Sequence, residues 1–208
     1  MKAIILDHPL VKHKLSILRS VNTGTKEFRE LVNELAMIIT YEAMKDAKLE
    51  GITVETPLAT INGHQIDENK YAFVPILRAG LSMIDGVLKV LPNAKIGHIG
   101  MYRNEETLEP VPYYYKVPNN IKNRTVFLMD PMLATGGSAI ASIRKLKEEG
   151  VKNIKLLCIV AAPEGIEKVT EEEPDVQIYS AVLDDHLNEH GYIVPGLGDA
   201  GDRIFGTK

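Results

Sequence analysis

Thr125-Val126-Phe127-Leu128-Met129-Asp130-Pro131-Met132-Leu133-Ala134-Thr135-Gly136-Gly137-Ser138 is the stretch that decides the fold. It opens with an apolar run of strand length. It ends where Ile140, Ile143 and Leu146 recur at helical spacing, closed by Gly150 as the expected C-terminal cap. Between strand and helix lies a carboxylate and a turn-rich segment. Gly136 and Gly137 lack a Cβ, so the backbone there can approach an anion closely. The first N–H groups of the following helix have no partner inside it, and the helix dipole favours an anion in front of them. Thr135 and Ser138 add hydroxyl donors, and Asp130 is suited to accept from the vicinal hydroxyls of a ribose. One short segment thus offers complementary groups to both ends of a phosphorylated ribose. A Gly-Gly turn alone would carry no such meaning; the apolar strand, the Asp and the Thr-Gly-Gly-Ser at this spacing do. It is not a Walker A loop, because no Gly-Lys-Ser/Thr occurs.

Working outward, the same strand-then-helix pattern repeats. Tyr71 to Leu77 is an apolar run ending at Arg78-Ala79-Gly80, followed by a helical stretch with Leu81, Ile84, Leu88 and Leu91 on one face. Lys95 to Met101, Ile154 to Ala162 and Val176 to Val182 read as further strands. Alternating strands and helices predict an α/β fold, a mostly parallel central sheet flanked by helices. Ligands in such sheets bind at the carboxyl ends of the strands. Nearer the N-terminus, Phe28, Leu31, Val32, Leu35, Ile38 and Ile39 mark a core-facing helix with Thr25 as its N-cap. Asn62-Gly63 predicts the turn of a hairpin within Thr53 to Ile66. The segment 102–123 differs: it is polar, holds Pro110, Pro112 and Pro118, and carries the consecutive tyrosines Tyr113 to Tyr115. It reads as a flap or an excursion from the sheet, with the tyrosines equally suited to a subunit contact. No repeat or linker divides the chain, so residues 1–208 are expected to form a single domain.

Composition narrows the function. The net charge is −4, so the chain lacks the broad positive field of a general nucleic-acid binder. No run reaches the ~18 apolar residues of a membrane helix, and Met1 to Leu10 holds too short an apolar patch for a signal-peptide core. No membrane or nucleic-acid partner is expected, and the cytoplasm is the expected location. The one cysteine, Cys158, lies inside an apolar run and reads as a core residue. Two literal motifs mislead. His186-Leu187-Asn188-Glu189-His190, with Asp184 and Asp185 before it, spells an inverted zinc-protease sequence. Gly191 leaves it no helix to align the two histidines, and a solvated polar loop is expected. Gly196, Gly198 and Gly201 spell G-x-G-x-x-G but sit at the end of the chain, without the strand, helix and distant acid that a dinucleotide site requires. Glu171 to Glu173 reads as a solvated helix end.

Taken together, Pro75 to Met83, Gly100 to Arg103, the Asp130 to Ser138 loop and Gly191 to Thr207 resemble, in this order, the type I phosphoribosyltransferases. These enzymes use 5-phosphoribosyl 1-diphosphate (PRPP). Their usual loop has two adjacent acids; here Pro131 follows Asp130, as in the uracil phosphoribosyltransferase branch. The resemblance implies a type I phosphoribosyltransferase-like sheet with a flap at 102–123 and a base-binding segment at 191–208. It implies that Arg78, Arg103, Asp130 and Asp199 serve catalysis. PRPP would be held by Arg78, Arg103, Asp130, Pro131, Met132, Leu133, Ala134, Thr135, Gly136, Gly137, Ser138 and Asp199. Ile193, Gly198, Asp199 and Ala200 would meet uracil.

The implied reaction is uracil plus PRPP giving UMP and pyrophosphate. Mg²⁺ would be carried mainly by PRPP, with Asp199 as an added ligand. GTP is an implied effector, and a dimer or tetramer the implied assembly. Main-chain groups reading uracil should reject cytosine, whose amino group leaves a partner unpaired. Two alternatives stand beside this reading: a phosphoribosyltransferase for another base, and a non-catalytic PRPP-sensing regulator that binds RNA. The acidic net charge disfavours the second.

Overall fold

The apolar runs become strands because every second side chain can be buried on one face and the alternate ones on the other. The computed structural model describes residues 3–103 and 110–207, with Arg103 and Pro110 described by their backbone alone. In chain order the elements begin with β1 (Ala3–Ile5), α1 (Pro9–Arg19), α2 (Thr25–Ala43), β2 (Glu50–Glu55), β3 (Thr60–Gln65), β4 (Tyr71–Leu77) and α3 (Ile84–Val90). Next come β5 (Lys95–Ile96), β6 (His98–Arg103), β7 (Pro110–Lys116), β8 (Thr125–Met129), β9 (Met132–Leu133) and α4 (Gly137–Glu148). The chain closes with β10 (Asn153–Ala161), α5 (Pro163–Glu172), β11 (Gln177–Leu183), β12 (His186–Leu187), β13 (Ile193–Val194) and α6 (Ala200–Phe205).

The main sheet runs β1-β11-β10-β8-β4-β6-β7, with β5 beside β4 and β9 beside β10. Its pairings are parallel except β6 with β7. Tyr71, Phe73, Phe127, Met129, Leu157 and Ile159 point to one face, where they meet α1 and α2. Ala72, Val74, Val126, Leu128, Leu156 and Cys158 point to the other, against α4. On the first face Phe73 and Phe127 stack across adjacent strands at 5.0 Å between ring centroids, inside the usual range for such pairs. Helices on both faces account for the near-continuous apolar strands. No helix among the described residues is long and apolar enough to cross a membrane.

Several expectations need correction. Asn62 and Gly63 do not form a turn. They lie inside β3, paired with Thr53 and Ile52, and the chain reverses at Thr56–Ala59, where the Thr56 hydroxyl accepts from Leu58 and Ala59 N–H. Thr25 is the first residue of α2, and Gly24 before it is the cap, without a side-chain bond. Gly150 does close α4, one position past the cap residue Glu149. Its N–H reaches Lys147 O and that of Val151 reaches Leu146 O, a Schellman ending. Lys95 to Met101 splits into β5 and β6 at Gly97. The segment 102–123 is partly regular where it is described: Tyr102 and Arg103 finish β6 and β7 returns antiparallel beside it, while 117–120 is irregular. The connection between the two arms lies outside the described residues. Glu173 is buried, taking Arg144 Nε at 2.9 Å and Lys147 Nζ at 2.7 Å, so that helix end is a paired charge cluster.

Candidate active site

The loop after β8 is held by its neighbours. Asp130 N–H donates to Leu157 O at 3.1 Å, and Pro131 O accepts from Ile159 and Val160 N–H at 3.0 Å each. Pro131 is tolerated because only its carbonyl is used there. Met132 and Leu133 form β9 against Val160 and Ala161, which gives the first half of the loop a strand partner. The second half rests on α5. A Cβ at Gly165 would lie 2.3 Å from Ala134 O, so the helix packs directly onto loop backbone. Gly136 turns into α4 with φ 79°, a region that favours glycine. No side chain among the described residues caps α4, whose first intrahelical bond is Ile140 N to Gly136 O. Gly137, Ser138 and Ala139, whose N–H groups have no intrahelical partner, line a small cleft of about 100 Å³ together with Asp130, Leu156 and Cys158.

Asp130 is the charged group of this cradle. Met132 N–H reaches its Oδ1 at 3.3 Å. Asp130 keeps some solvent contact at the mouth of the cleft, but protein surrounds it otherwise. That burial pushes its carboxyl up to about 7, against the pull of the Met132 N–H. Cys158 below is fully buried and its Sγ–H donates to Tyr179 O at 3.5 Å. Burial pushes its thiol up to about 12, so it is a neutral floor and not a nucleophile.

Arg78 follows β4 and opens a 3₁₀ turn, Ala79–Met83. A Cβ at Gly80 would lie 2.6 Å from Met129 O, which shows how tightly this turn abuts the end of β8. Arg78 is exposed, its guanidinium carbon 5.7 Å above the Phe205 ring of α6. It is free to turn toward a phosphate with its five donors. Arg103 ends β6 at the same sheet edge, but its side chain lies outside the described residues.

The C-terminal segment completes the edge. His186 and Leu187 form β12 with β13, and Asn188 turns the chain between them. Its Oδ1 accepts from His190 and Tyr192 N–H. His186 and His190 are thus strand and turn residues, not neighbours on a helix. Among the described residues no group of three His, Cys, Asp or Glu could hold a metal ion. Asp199 caps α6, its Oδ1 accepting from Asp202 N–H at 2.9 Å. Ile193, Gly198, Asp199 and Ala200 line a cleft of about 180 Å³ together with Met132 and Ala134 of the cradle. Gly191 approaches Thr135 from the same side.

The structure therefore brings together the three loops that follow β4, β8 and β11. It also adds residues that the sequence did not flag. Gly165 packs against the loop after β8, and Glu164 Oε1 accepts from Leu187 N–H at 2.9 Å, tying α5 to the C-terminal segment. Asp184 is not in a solvated loop; it is buried and paired with Arg19. Its single sequence signal, an acid closing an apolar strand, is the same one that marked Asp130.

A family profile described as Uracil phosphoribosyltransferase matches residues 5–207. Uracil phosphoribosyltransferases of Streptococcus pyogenes serotype M5 (strain Manfredo) and serotype M49 (strain NZ131) are 60% and 59% identical over 207 residues. Each match covers all of this chain and 99% of the relative. Among solved structures, the AQ2163 protein from Aquifex aeolicus aligns with a TM-score of 0.93 at 42% identity, over 98% of this chain and 97% of that one. Adenine phosphoribosyl transferase from Trypanosoma brucei, in complex with AMP, pyrophosphate and ribose-5-phosphate, aligns with a TM-score of 0.58 at 15% identity. That match covers 95% of this chain and 88% of the other, and the likeness is one of fold.

Proposed function

The chain belongs to the uracil phosphoribosyltransferase family, and from that premise we propose that it converts uracil and PRPP to UMP and pyrophosphate, a step of pyrimidine salvage. The observation that carries the reading is the shared wall of the two clefts. Met132 and Ala134 line both, so a ribose seated in the cradle presents its C1 toward the base cleft.

In this reading the 5-phosphate takes the N–H groups at the start of α4 with the hydroxyls of Thr135 and Ser138. Asp130 accepts from the ribose hydroxyls, which adds to the Met132 N–H that its carboxylate already holds. Arg78, joined by Arg103, takes the diphosphate. Backbone of Ile193, Gly198 and Ala200 reads the uracil edge, with Asp199 between base and sugar. N1 of uracil bonds to C1 as the bond from C1 to the diphosphate oxygen breaks, and the N1 proton is released. No protein nucleophile is needed; positioning and charge stabilisation on the leaving diphosphate supply the rate.

Mg²⁺ fits this site as an ion carried by substrate. The described residues offer no three-ligand cluster, and one oxygen of Asp199 is engaged as a helix cap, leaving the other to add to a ligand set of phosphate oxygens and water. When bound, the ion neutralises charge on the leaving diphosphate. The same reading takes 1–208 as one domain, the 102–123 hairpin as a flap, the cytoplasm as the location, GTP as an effector and a dimer or tetramer as the assembly.

The deciding experiment incubates the purified protein with PRPP, Mg²⁺ and a panel of bases, with and without GTP. UMP forming from uracil, with cytosine, purines and orotate left unused, is the expected result. Consumption of another base alone, or RNA binding without UMP, would overturn the reading. Chelating Mg²⁺ should abolish turnover. Arg78→Ala should lower kcat by at least about tenfold, and unchanged kinetics would remove Arg78 from the mechanism.

A further inference from the structure

We infer that Arg19 and Asp184 are positioning residues for base recognition: neither lines the base cleft, yet together they fix the backbone of Gly196, on which that cleft is built. The inference rests on the uracil reading above.

Asp184 follows β11 and stays in register with the sheet, its N–H donating to Ala161 O at 2.9 Å. Its carboxylate is 3% exposed. Arg19 is the last residue of α1 and meets that carboxylate with both terminal nitrogens, Nη1 to Oδ2 at 2.7 Å and Nη2 to Oδ1 at 2.5 Å. Gly196 closes the arrangement. Its N–H donates to Asp184 Oδ2 at 2.9 Å, and its carbonyl accepts from Arg19 Nη1 at 2.7 Å. Both backbone groups of one residue are thus taken by a single ion pair.

Gly196 is the pivot of the segment. It has φ 58°, and a Cβ there would lie 2.1 Å from Ile193 O, so the chain folds back tightly on itself. Ile193 lies three residues before it and Gly198 two after, and both face the base cleft. A rotation of the Gly196 peptides would move the two sides of the cleft relative to each other. Arg203 adds a second tie, donating to Leu197 O at 2.9 Å and to Ser20 O at 2.6 Å, beside the same end of α1. Stability alone gives a weak reason for the pair. A desolvated ion pair is often matched or bettered by apolar residues of similar volume. A fixed geometry for the base-reading backbone gives a better one.

The test measures steady-state kinetics of the full chain with uracil and PRPP varied in turn. Wild type, Arg19→Met, Asp184→Asn and the double variant Arg19→Met/Asp184→Leu are compared, each with its melting temperature. Positioning predicts that KM for uracil rises about tenfold or more in every variant, while KM for PRPP changes little. The double variant should regain thermal stability and keep the raised KM for uracil. If a single variant does not fold, Arg19→Lys gives the same readout, with a smaller rise. Recovery of the wild-type uracil KM in the double variant, or equal loss for both substrates, overturns the inference and assigns the pair to stability alone. A wild-type enzyme that leaves uracil unused overturns the uracil reading and this inference with it. Normal wild-type turnover with unmoved KM in the variants overturns this inference only.

Discussion

At the scale of single residues, Asp130 carries the proposed ribose contact. Its carboxyl is pushed up to about 7 from an ordinary 3.8 by burial. Between those values the folded, unliganded chain keeps a proton that the unfolded chain has released. The stability tied to this group is therefore complete below about 3.8 and lost as the pH rises through about 7. Asp130→Asn removes that pH dependence. Its unliganded melting temperature should exceed wild type by a few degrees at pH 8 and match it near pH 3.8. Function should move the other way. Ribose 5-phosphate affinity of the wild type should weaken about tenfold from pH 8 to pH 6, as Asp130 takes up its proton. The phosphate's own titration near pH 6 is common to wild type and variant, so calorimetry on both isolates the carboxyl. Parallel profiles for the two would refute the assignment. The residue type and its place after a strand were readable in the sequence. Its raised pKa was not, because that depends on protein packed around it by distant segments.

Among elements, the contact of α5 with the cradle makes the sharpest prediction. In an exposed helix, Gly→Ala normally stabilises by up to about 1 kcal/mol. At Gly165 the added methyl would meet Ala134 O at 2.3 Å and Leu133 O at 2.9 Å, so the sign reverses. Gly165→Ala should cost about 1–3 kcal/mol, read by denaturant titration, and raise KM for PRPP. Gly51→Ala in β2 is the control, since nothing lies within 4 Å of its added methyl. It should leave both measurements unchanged within error. Elements were mostly legible for a physical reason: a strand buried on both faces must be apolar almost throughout, as Tyr71 to Ile76 and Val126 to Met129 are. Asn62-Gly63 misled because a hairpin's turn is set where strand pairing ends, and Thr56 supplied a competing turn with its own hydroxyl.

For the whole molecule, one sheet positions three loops, so a core change should reach both substrates. Phe127 is fully buried and stacks on Phe73 at 5.0 Å, with Tyr71 at 6.0 Å. Phe127→Ala should cost about 3–5 kcal/mol in urea denaturation. Ribose 5-phosphate at about a hundred times its Kd should restore roughly 2.7 kcal/mol of that, because the ligand binds only the folded chain. A loss without rescue would mean that the change had also dismantled the cradle.

The sequence by itself determined the α/β architecture and marked the proposed cradle from Asp130 to Ser138 and the proposed base segment that follows β11. Each is written in contiguous residues whose periodicity, glycines and charges act locally. Only the tertiary structure decided how these pieces meet: Gly165 beneath Ala134, Gly80 against Met129, Glu173 between Arg144 and Lys147, and Arg19 paired with Asp184 across 165 positions of sequence. No local pattern encodes such contacts, because their energy comes from desolvation and hydrogen bonding between groups that only the packed sheet brings together. The proposed phosphate cradle could therefore be read from one stretch of chain, whereas the geometry we propose to position the base belongs to the assembled molecule.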